Sequence, residues 1–189
     1  MFSSAVGIPL RTARLTLRSH REEDAIWLHR VYSRPDVVRF LLQEPWTMET
    51  AELYTQQRIL KSDLDGDTGA LVLVIEHDGT PVGDVQLWYL DDERQIAEIG
   101  WVLDPGHTGQ GFAREAVRAT LDLAFERHEV RRVVAQMDAR NFASIRLARA
   151  VGMQHEAHLR QHWWNKNEWT DTAIFGVLVS DRTEHREHP

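Results

Sequence analysis

The sequence predicts an α+β domain in which helices flank one mixed, mostly antiparallel sheet. Three observations predict it. Apolar runs at 70–76, 82–89 and 96–103 follow one another with only short polar turns between them, as in an antiparallel meander. A glycine-rich stretch, 104–111, then opens a long amphipathic helix that leads into another strand-like run, so helix and strand alternate from there. Finally, two strand-like runs about a polar turn at Asn165–Asn167 close the chain as a hairpin.

Each element has a local reason. Arg14 to Arg18 alternates as Arg-Leu-Thr-Leu-Arg, which places Leu15 and Leu17 on one face of a short strand. Glu22 to Ser33 carries Ala25, Leu28, Val31 and Tyr32 at helical spacing, with Pro35 as its stop. A second helix begins at Thr47 or Thr50, either of which can cap it, and runs to the region of Leu60. Lys61 to Asp67 reads as a polar loop. The first two strands of the meander flank His77-Asp78-Gly79-Thr80, an Asp-Gly hairpin signal, and Asp91 to Arg94 turns the chain into the third, Ile96 to Leu103. The long helix, Phe112 to His128, has Ala113, Val117, Leu121, Ala124 and Phe125 as its apolar stripe. Arg131 to Met137 is a strand, and Asn141 to Val151 a helix ended by Gly152. Met153 to Trp163 and Trp169 to Val179 pair as the closing hairpin.

No repeat, low-complexity linker or composition break divides the chain, so residues 1–180 read as one domain and 181–189 as a polar, disordered tail. A chain of 189 residues buries roughly 70% of its unfolded surface and needs neither disulfide nor metal to fold. It has no cysteine, which excludes cysteine nucleophiles, acyl-cysteine intermediates, thiolate zinc clusters and redox pairs. With 29 acidic against 22 basic side chains the net charge is −7, which argues against nucleic acid as a partner and suits a cationic one. The longest apolar run, Ala70 to Ile75, is far short of the roughly 20 residues a membrane span needs. Met1 to Leu10 has no signal-peptide pattern, so the expected location is the cytoplasm, with no membrane partner.

The most informative stretch is Gly106 to Ala113, between a strand and a helix. Such a loop presents free backbone N–H groups together with the positive end of a helix dipole, and glycine lets an anion approach closely. It is not a Walker loop, because Gly111-Phe112-Ala113 lacks the Gly-Lys-Ser/Thr element. Nor is it the dinucleotide fingerprint, since these glycines run G-x-x-G-x-G and follow a meander. By itself the loop also reads as a flexible glycine-rich turn without a ligand.

Neighbouring motifs add a resemblance. Ala97-Glu98-Ile99-Gly100-Trp101-Val102-Leu103 followed by Gly109-Gln110-Gly111-Phe112-Ala113-Arg114-Glu115-Ala116 resembles the acyl-CoA motif of GNAT acyltransferases. Asn141-Phe142-Ala143-Ser144, then Val151-Gly152-Met153, is similar to the Asn-x-x-Ser helix of that superfamily. Arg14 to Arg18 and Trp169-Thr170-Asp171 place the resemblance in the RimJ/RimL-type branch, which includes acetyltransferases acting on the N-termini of ribosomal proteins. It spans 12–180. The family's loop is Arg/Gln-x-x-Gly-x-Gly/Ala, and Thr108 stands where arginine or glutamine is usual, a change that weakens rather than abolishes a cradle built of backbone amides.

The resemblance implies a GNAT-type fold and acetyl-CoA as cosubstrate, with no metal. Coenzyme A would lie between the strand ending at Leu103 and the strand 131–137, its pyrophosphate on the loop from Thr108 through Gly109, Gln110, Gly111 and Phe112 to Ala113. The acetyl group would pass directly to the amine, a backbone N–H near Val102 or Leu103 holding the oxyanion. Asn141 would cap its helix and bond the pantetheine arm; Ser144 is the candidate general acid, because none of Tyr32, Tyr54 and Tyr89 lies on that helix.

Glu98 is the candidate general base. Alternation puts it on one face with Ile96, Gly100 and Val102, and the glycine beside it leaves open space before the carboxylate. The attacking amine must be neutral. An α-amine is on the order of a tenth neutral at pH 7, a lysine well below a thousandth, so a lysine acceptor asks far more of the base. Trp46, in a region that lines the acceptor site in such folds, is the candidate substrate-binding residue. Trp163, Trp164 and Trp169 read as core or hairpin packing, one of them able to wall the cleft. His155, His158 and His162 lie on a strand without an evident carboxylate partner and are not read as a metal site. The acceptor is a protein N-terminus or a small amine, and a homodimer is allowed. The alternative is a non-catalytic acyl-CoA sensor or scaffold of the same fold.

Overall fold

One open sheet runs through the molecule with helices on both faces. The computed structural model describes residues 7–184. In chain order the strands are β1 (Leu10–Arg11), β2 (Thr16–Ser19), β3 (Ser62–Asp63), β4 (Ala70–His77), β5 (Thr80–Tyr89), β6 (Ile96–Leu103), β7 (Arg132–Asp138), β8 (Gln154–Asn165) and β9 (Glu168–Leu178). The helices are α1 (Asp24–Tyr32), α2 (Pro35–Val38), α3 (Met48–Leu60), α4 (Phe112–Glu126), α5 (Phe142–Ala150) and α6 (Val179–Glu184). The strand order is β1-β2-β4-β5-β6-β7-β9-β8, with β3 also on β4, and every pair is antiparallel except β6–β7.

The predicted α+β class and the meander stand. The β4–β5 turn has Asp78 and Gly79 at φ 48° and 76°, and the β8–β9 turn has Lys166 and Asn167 at φ 49° and 63°, the doubly left-handed turns that match strand twist. Thr47 is the cap of α3, its side chain accepting the Thr50 N–H at 3.2 Å. Three expectations differ. Pro35 does not merely stop α1 but opens α2 at its first position, where the missing N–H costs nothing. Within the polar loop after α3, Ser62 and Asp63 pair with β4. The tail read as disordered from Asp181 begins inside α6; residues 185–189 lie outside the described residues.

Alternation divides the core by face. Leu71, Leu73 and Ile75 of β4, Val85 and Leu87 of β5, and Ala97 and Ile99 of β6 bury against Ala116, Val117, Leu121 and Ala124 of α4. The other face carries Val74 and Val102 against Trp27, Leu28 and Val31 of α1 and Ala51 of α3. On that face β5 buries a charge. Asp84 is 0% exposed and accepts from the Tyr32 hydroxyl at 2.8 Å and from the Arg58 guanidinium at 2.5 Å, while Arg58 also donates to Tyr32 at 3.1 Å. One ion pair thus ties α1, α3 and the sheet together. His20, also buried, is driven down to about 4 by desolvation and by the nearby Arg58 charge, so it stays neutral.

Truncating one partner of such a pair leaves the other charge buried alone. Asp84→Ala is expected to cost about 3–5 kcal/mol in urea unfolding, whereas Tyr32→Phe, which removes the bonds to Asp84 and from Arg58 but no charge, costs about 1–2 kcal/mol. Equal losses in the two variants would show that the charge pair is not what holds the helices to this face.

Candidate active site

The site begins where the sheet fails to close. β6 and β7 pair over only Ile96–Glu98 and Arg132–Val134, so beyond Glu98 the two parallel strands separate. The direction of the β6 amides follows from its other partner. Asp104 N–H donates to Val82 O and Leu90 N–H to Ile96 O, each at 2.8 Å, so the even positions of β6 are bonded to β5. The odd positions, Trp101 and Leu103 among them, turn their amides toward the gap. Of the two expected donors, Leu103 therefore faces the opening. Val102 is committed to β5, and its side chain packs on the α1–α3 face.

The glycine-rich loop follows directly. Asp104 accepts the Gly106 N–H at 2.9 Å, and the Thr108 hydroxyl donates to Pro105 O at 3.0 Å, so Thr108 closes the 3-10 turn at Pro105–His107. Gly109 and Gly111 then take φ 78° and 82°, left-handed values that favour glycine. Gly111 is the N-cap of α4 and has no side chain to cap it. Consequently the amides of Gly109, Gln110, Gly111, Phe112 and Ala113 have no acceptor among the described residues. Donors held together at a helix N-terminus fit a pyrophosphate. Phe112 can contribute only its amide, because its ring is 2% exposed.

A buttress that sequence reasoning missed holds the loop. Arg14 donates to Gln110 O at 3.0 Å and to the Glu115 carboxylate at 2.8 Å, and its guanidinium lies 4.9 Å over the Phe112 ring. Thr12 reaches the same carboxylate at 2.6 Å. The strand expected from Arg14 begins only at Thr16; Arg14 lies in a bend ahead of it, and from there it fixes the start of α4.

Glu98 stands on the opposite face of the gap. It accepts from the Gln136 amide at 3.1 Å across the separating strands. Burial raises its carboxyl above the ordinary glutamate value, while the Gln136 bond works the other way. The space expected beside Gly100 is taken by the Trp88 indole, 3.6 Å from where a Cβ would sit. The open room lies instead toward β7 and β9, in a cavity of about 290 Å³ walled by Glu98, Gln136, Asp138, Phe40, Leu41 and Trp163, among others. Although burial pushes Asp138 up, the bonds from Arg140 outweigh it and hold the carboxyl below its ordinary value.

The roof of this cavity is the segment Phe40–Leu42, and the closing hairpin pins it. Lys166 donates to Val38 O at 2.7 Å and Leu41 O at 2.6 Å, and Asn165 donates to Leu41 O at 3.0 Å. These contacts join residues some 125 positions apart, which no local pattern announces. Trp46 is not at the cavity. It is 4% exposed, stacked at 4.2 Å on Tyr32 and 4.7 Å on Tyr54, and serves the α1–α3 core. The hairpin tryptophans are not core either: Trp163, Trp164 and Trp169 are 44, 59 and 56% exposed, and Trp163 is the one that walls the cavity. His158, expected to lack a carboxylate, pairs with Asp171 at 2.7 Å.

Across the sheet, α5 packs on the α4 side through Ile145 and Leu147. Asn141 caps it, accepting the Ser144 N–H at 3.1 Å. The Ser144 hydroxyl is half-buried and bonds no protein group among the described residues. Loop, gap and α5 lie together on one side, Glu98 and its cavity on the other.

Residues 14–154 match the acetyltransferase (GNAT) domain. The chain belongs to the GNAT acetyltransferase family. This GNAT chain is an N-acetyltransferase, and it is 31% identical over 169 residues to p20 of Bacillus licheniformis, described as an uncharacterized N-acetyltransferase, covering 89% of this chain and 95% of that one. Among solved GNAT-fold structures, RimL, a ribosomal α-N-protein acetyltransferase in complex with coenzyme A, superposes with a TM-score of 0.81 at 20% identity, over 92% of this chain and 98% of that one. Spermidine N-acetyltransferase from Vibrio cholerae, in complex with coenzyme A and spermine, gives 0.77 at 21%, over 91% and 99%. Among the described residues, no helix is long and apolar enough to cross a membrane.

Gly111→Glu, which puts a carboxylate among the free amides, is expected to abolish coenzyme A binding in isothermal titration calorimetry. Gly111→Ala carries the same left-handed strain without the charge and retains measurable binding. Wild-type affinity in the glutamate variant would remove the loop as the anion cradle.

Proposed function

We propose that this protein moves an acetyl group from acetyl-CoA directly to a primary amine within one ternary complex. One observation carries the reading: a half-buried carboxylate, Glu98, stands at the point where β6 and β7 part, opposite the loop of free amides. Glu98 accepts a proton from the amine as its nitrogen attacks the thioester carbon. The Leu103 amide donates to the oxygen of the tetrahedral species, a contribution of about 2.7–4 kcal/mol for one such donor. Ser144 supplies a proton to the departing thiolate, so the C–S bond breaks as the C–N bond forms. With no cysteine in the chain, direct transfer needs no carrier thiol on the enzyme.

The acceptor enters from the Glu98 side. Glu98 draws a cation into the cavity, while Phe40, Leu41, Leu42 and Trp163 bind apolar surface near it. Relatives of this fold acting on ribosomal proteins and on spermidine support an amine acceptor of either kind. The acidic balance of the chain supports the same sign. An amine panel with a thiol-release readout, including peptides with Ser or Ala N-termini alongside polyamines, tests the reading. Acetyl-CoA binding without thiol release for any amine would mark a sensor instead.

Glu98→Gln is expected to lower turnover by about 10²–10⁴, the usual range for a lost acid–base group, with coenzyme A affinity unchanged. Ser144→Ala should likewise lower turnover more than cosubstrate affinity, and normal turnover would remove Ser144 as the acid. The pH profile gives a sharper check. Because the base acts ionised and burial raises its pKa, the acid limb of kcat/KM lies above the ordinary glutamate value. The Gln136 bond favours the ionised form, so Gln136→Met moves that limb to higher pH with the same amine. A limb that stays in place sinks Glu98 as the titrating base.

A further inference from the structure

The cavity beside Glu98 holds about 290 Å³, close to the lower limit of about 300 Å³ for small-ligand pockets. It has room for one compact group. Phe40, Leu41 and Leu42 in the roof, with Met137 and Trp163 around them, make most of its wall apolar.

The polar side chains of that wall are already engaged within the protein. The Asp138 carboxylate takes two bonds from the Arg140 guanidinium, at 3.0 and 2.8 Å, and a third from the Arg140 N–H at 2.8 Å. Asn165 gives its amide to Leu41 O at 3.0 Å. The Thr170 hydroxyl donates to Trp163 O at 3.2 Å, and the Thr172 hydroxyl is bonded to His162 Nδ1 at 3.1 Å. Glu98 keeps an open end. Gln136 reaches its Oε2, and its Oε1 has no protein partner among the described residues. The cavity therefore offers one unpaired negative charge in an apolar shell.

We propose that the acceptor is a small monoamine, a single ammonium group attached to one compact aromatic or branched apolar group, and that the Arg140–Asp138 pair enforces this choice. The proposal rests on the acetyl-transfer reading above and narrows its acceptor. The ammonium takes the open carboxylate and the apolar body takes the wall. A polyamine brings further ammonium groups into the same space. There the one other carboxylate is neutralised by Arg140, and the Lys166 ammonium lies against the roof at Leu41 O, so a second cation meets like charge. A peptide is disfavoured for another reason. Its first amide follows the α-carbon directly and enters with the amine, where the wall has no side chain left to pair it. A free amino acid would set its carboxylate beside Glu98. Each polar group buried without a partner lowers affinity by about tenfold.

Steady-state thiol release tests the proposal, on the full chain at saturating acetyl-CoA, with phenethylamine, ethanolamine, spermidine and a peptide with a free Phe N-terminus. The kcat/KM for phenethylamine is expected to exceed each of the others by at least about tenfold. Arg140→Met frees Asp138 for a second ammonium, so the ratio of phenethylamine to spermidine falls several-fold, and phenethylamine turnover shows that the variant is folded. Arg140→Lys, which keeps the charge, keeps the ratio. Spermidine, the peptide or ethanolamine acetylated as efficiently as phenethylamine overturns the proposal and leaves the acetyl-transfer reading standing. A ratio unchanged in Arg140→Met overturns the role of the pair. Thiol release with none of these amines, nor with any other in a panel, overturns both readings.

Discussion

Everything at this site follows from one parallel strand pair. Antiparallel neighbours can be joined by a two-residue turn, but β6 and β7 run the same way, so the chain must cross over the sheet between them. The crossover is the glycine loop and α4. It starts at the C-terminal end of β6 and packs Ala116, Val117, Leu121 and Ala124 on one face of the sheet. Parallel direction also brings the C-terminal ends of β6 and β7 to the same edge of the molecule. Because their pairing stops after three residue pairs, those ends diverge, and a crevice forms where open sheets with crossovers bind ligands. The crevice, the amides turned into it and the glycine loop of free amides beside it are consequences of a single change of strand direction.

The opposite face answers a different constraint. There the sheet carries Asp84, which cannot lie buried without a cation, and the Arg58 side chain that meets it draws α3 and, through Tyr32, α1 onto the strands. With those helices anchored, the segment from Val38 to Leu42 is left to span the cavity beside Glu98. Lys166 and Asn165 hold it from the tip of the β8–β9 hairpin. The strand ladder thus reaches the cavity twice, through Glu98 and Gln136 in its floor and through the hairpin that secures its roof.

What the sequence disclosed divides along the same line. Elements set by neighbours in the chain were legible: the Asp78-Gly79 turn, the Thr47 and Asn141 caps and the α4 stripe each depend on a few adjacent residues. Glu98 was legible because strand alternation fixes its face. Trp46 was misjudged because its surroundings are set by Tyr32 and Tyr54, which no pattern at residue 46 reveals. Gln136, the Phe40–Leu42 roof and the Lys166 clamp share that property, being contacts between distant segments. The choice between Val102 and Leu103 needed the register of β6 on β5, since parity alone does not say which partner an amide faces. Arg14 was read as the first residue of a strand, whereas it precedes β2 and buttresses a loop some hundred residues away.

The arrangement of charge gives the two faces a common logic. A cosubstrate bearing several phosphates needs donors that carry no acid with them, and on the α4 side the free amides of Gly109 to Ala113 are such donors. A cationic amine needs the reverse, and on the other side Glu98 faces the cavity, its neighbour Asp138 being paired with Arg140. As the proposed base, Glu98 must do two things that conflict, attracting an ammonium as an anion and accepting a proton. Partial burial reconciles them, since it raises the basicity of the carboxylate, and the Gln136 bond keeps it ionised enough to act. Full burial would leave a neutral acid that neither attracts nor accepts, and full exposure a base too weak to help. The half-open cavity between the strands sets Glu98 between those limits.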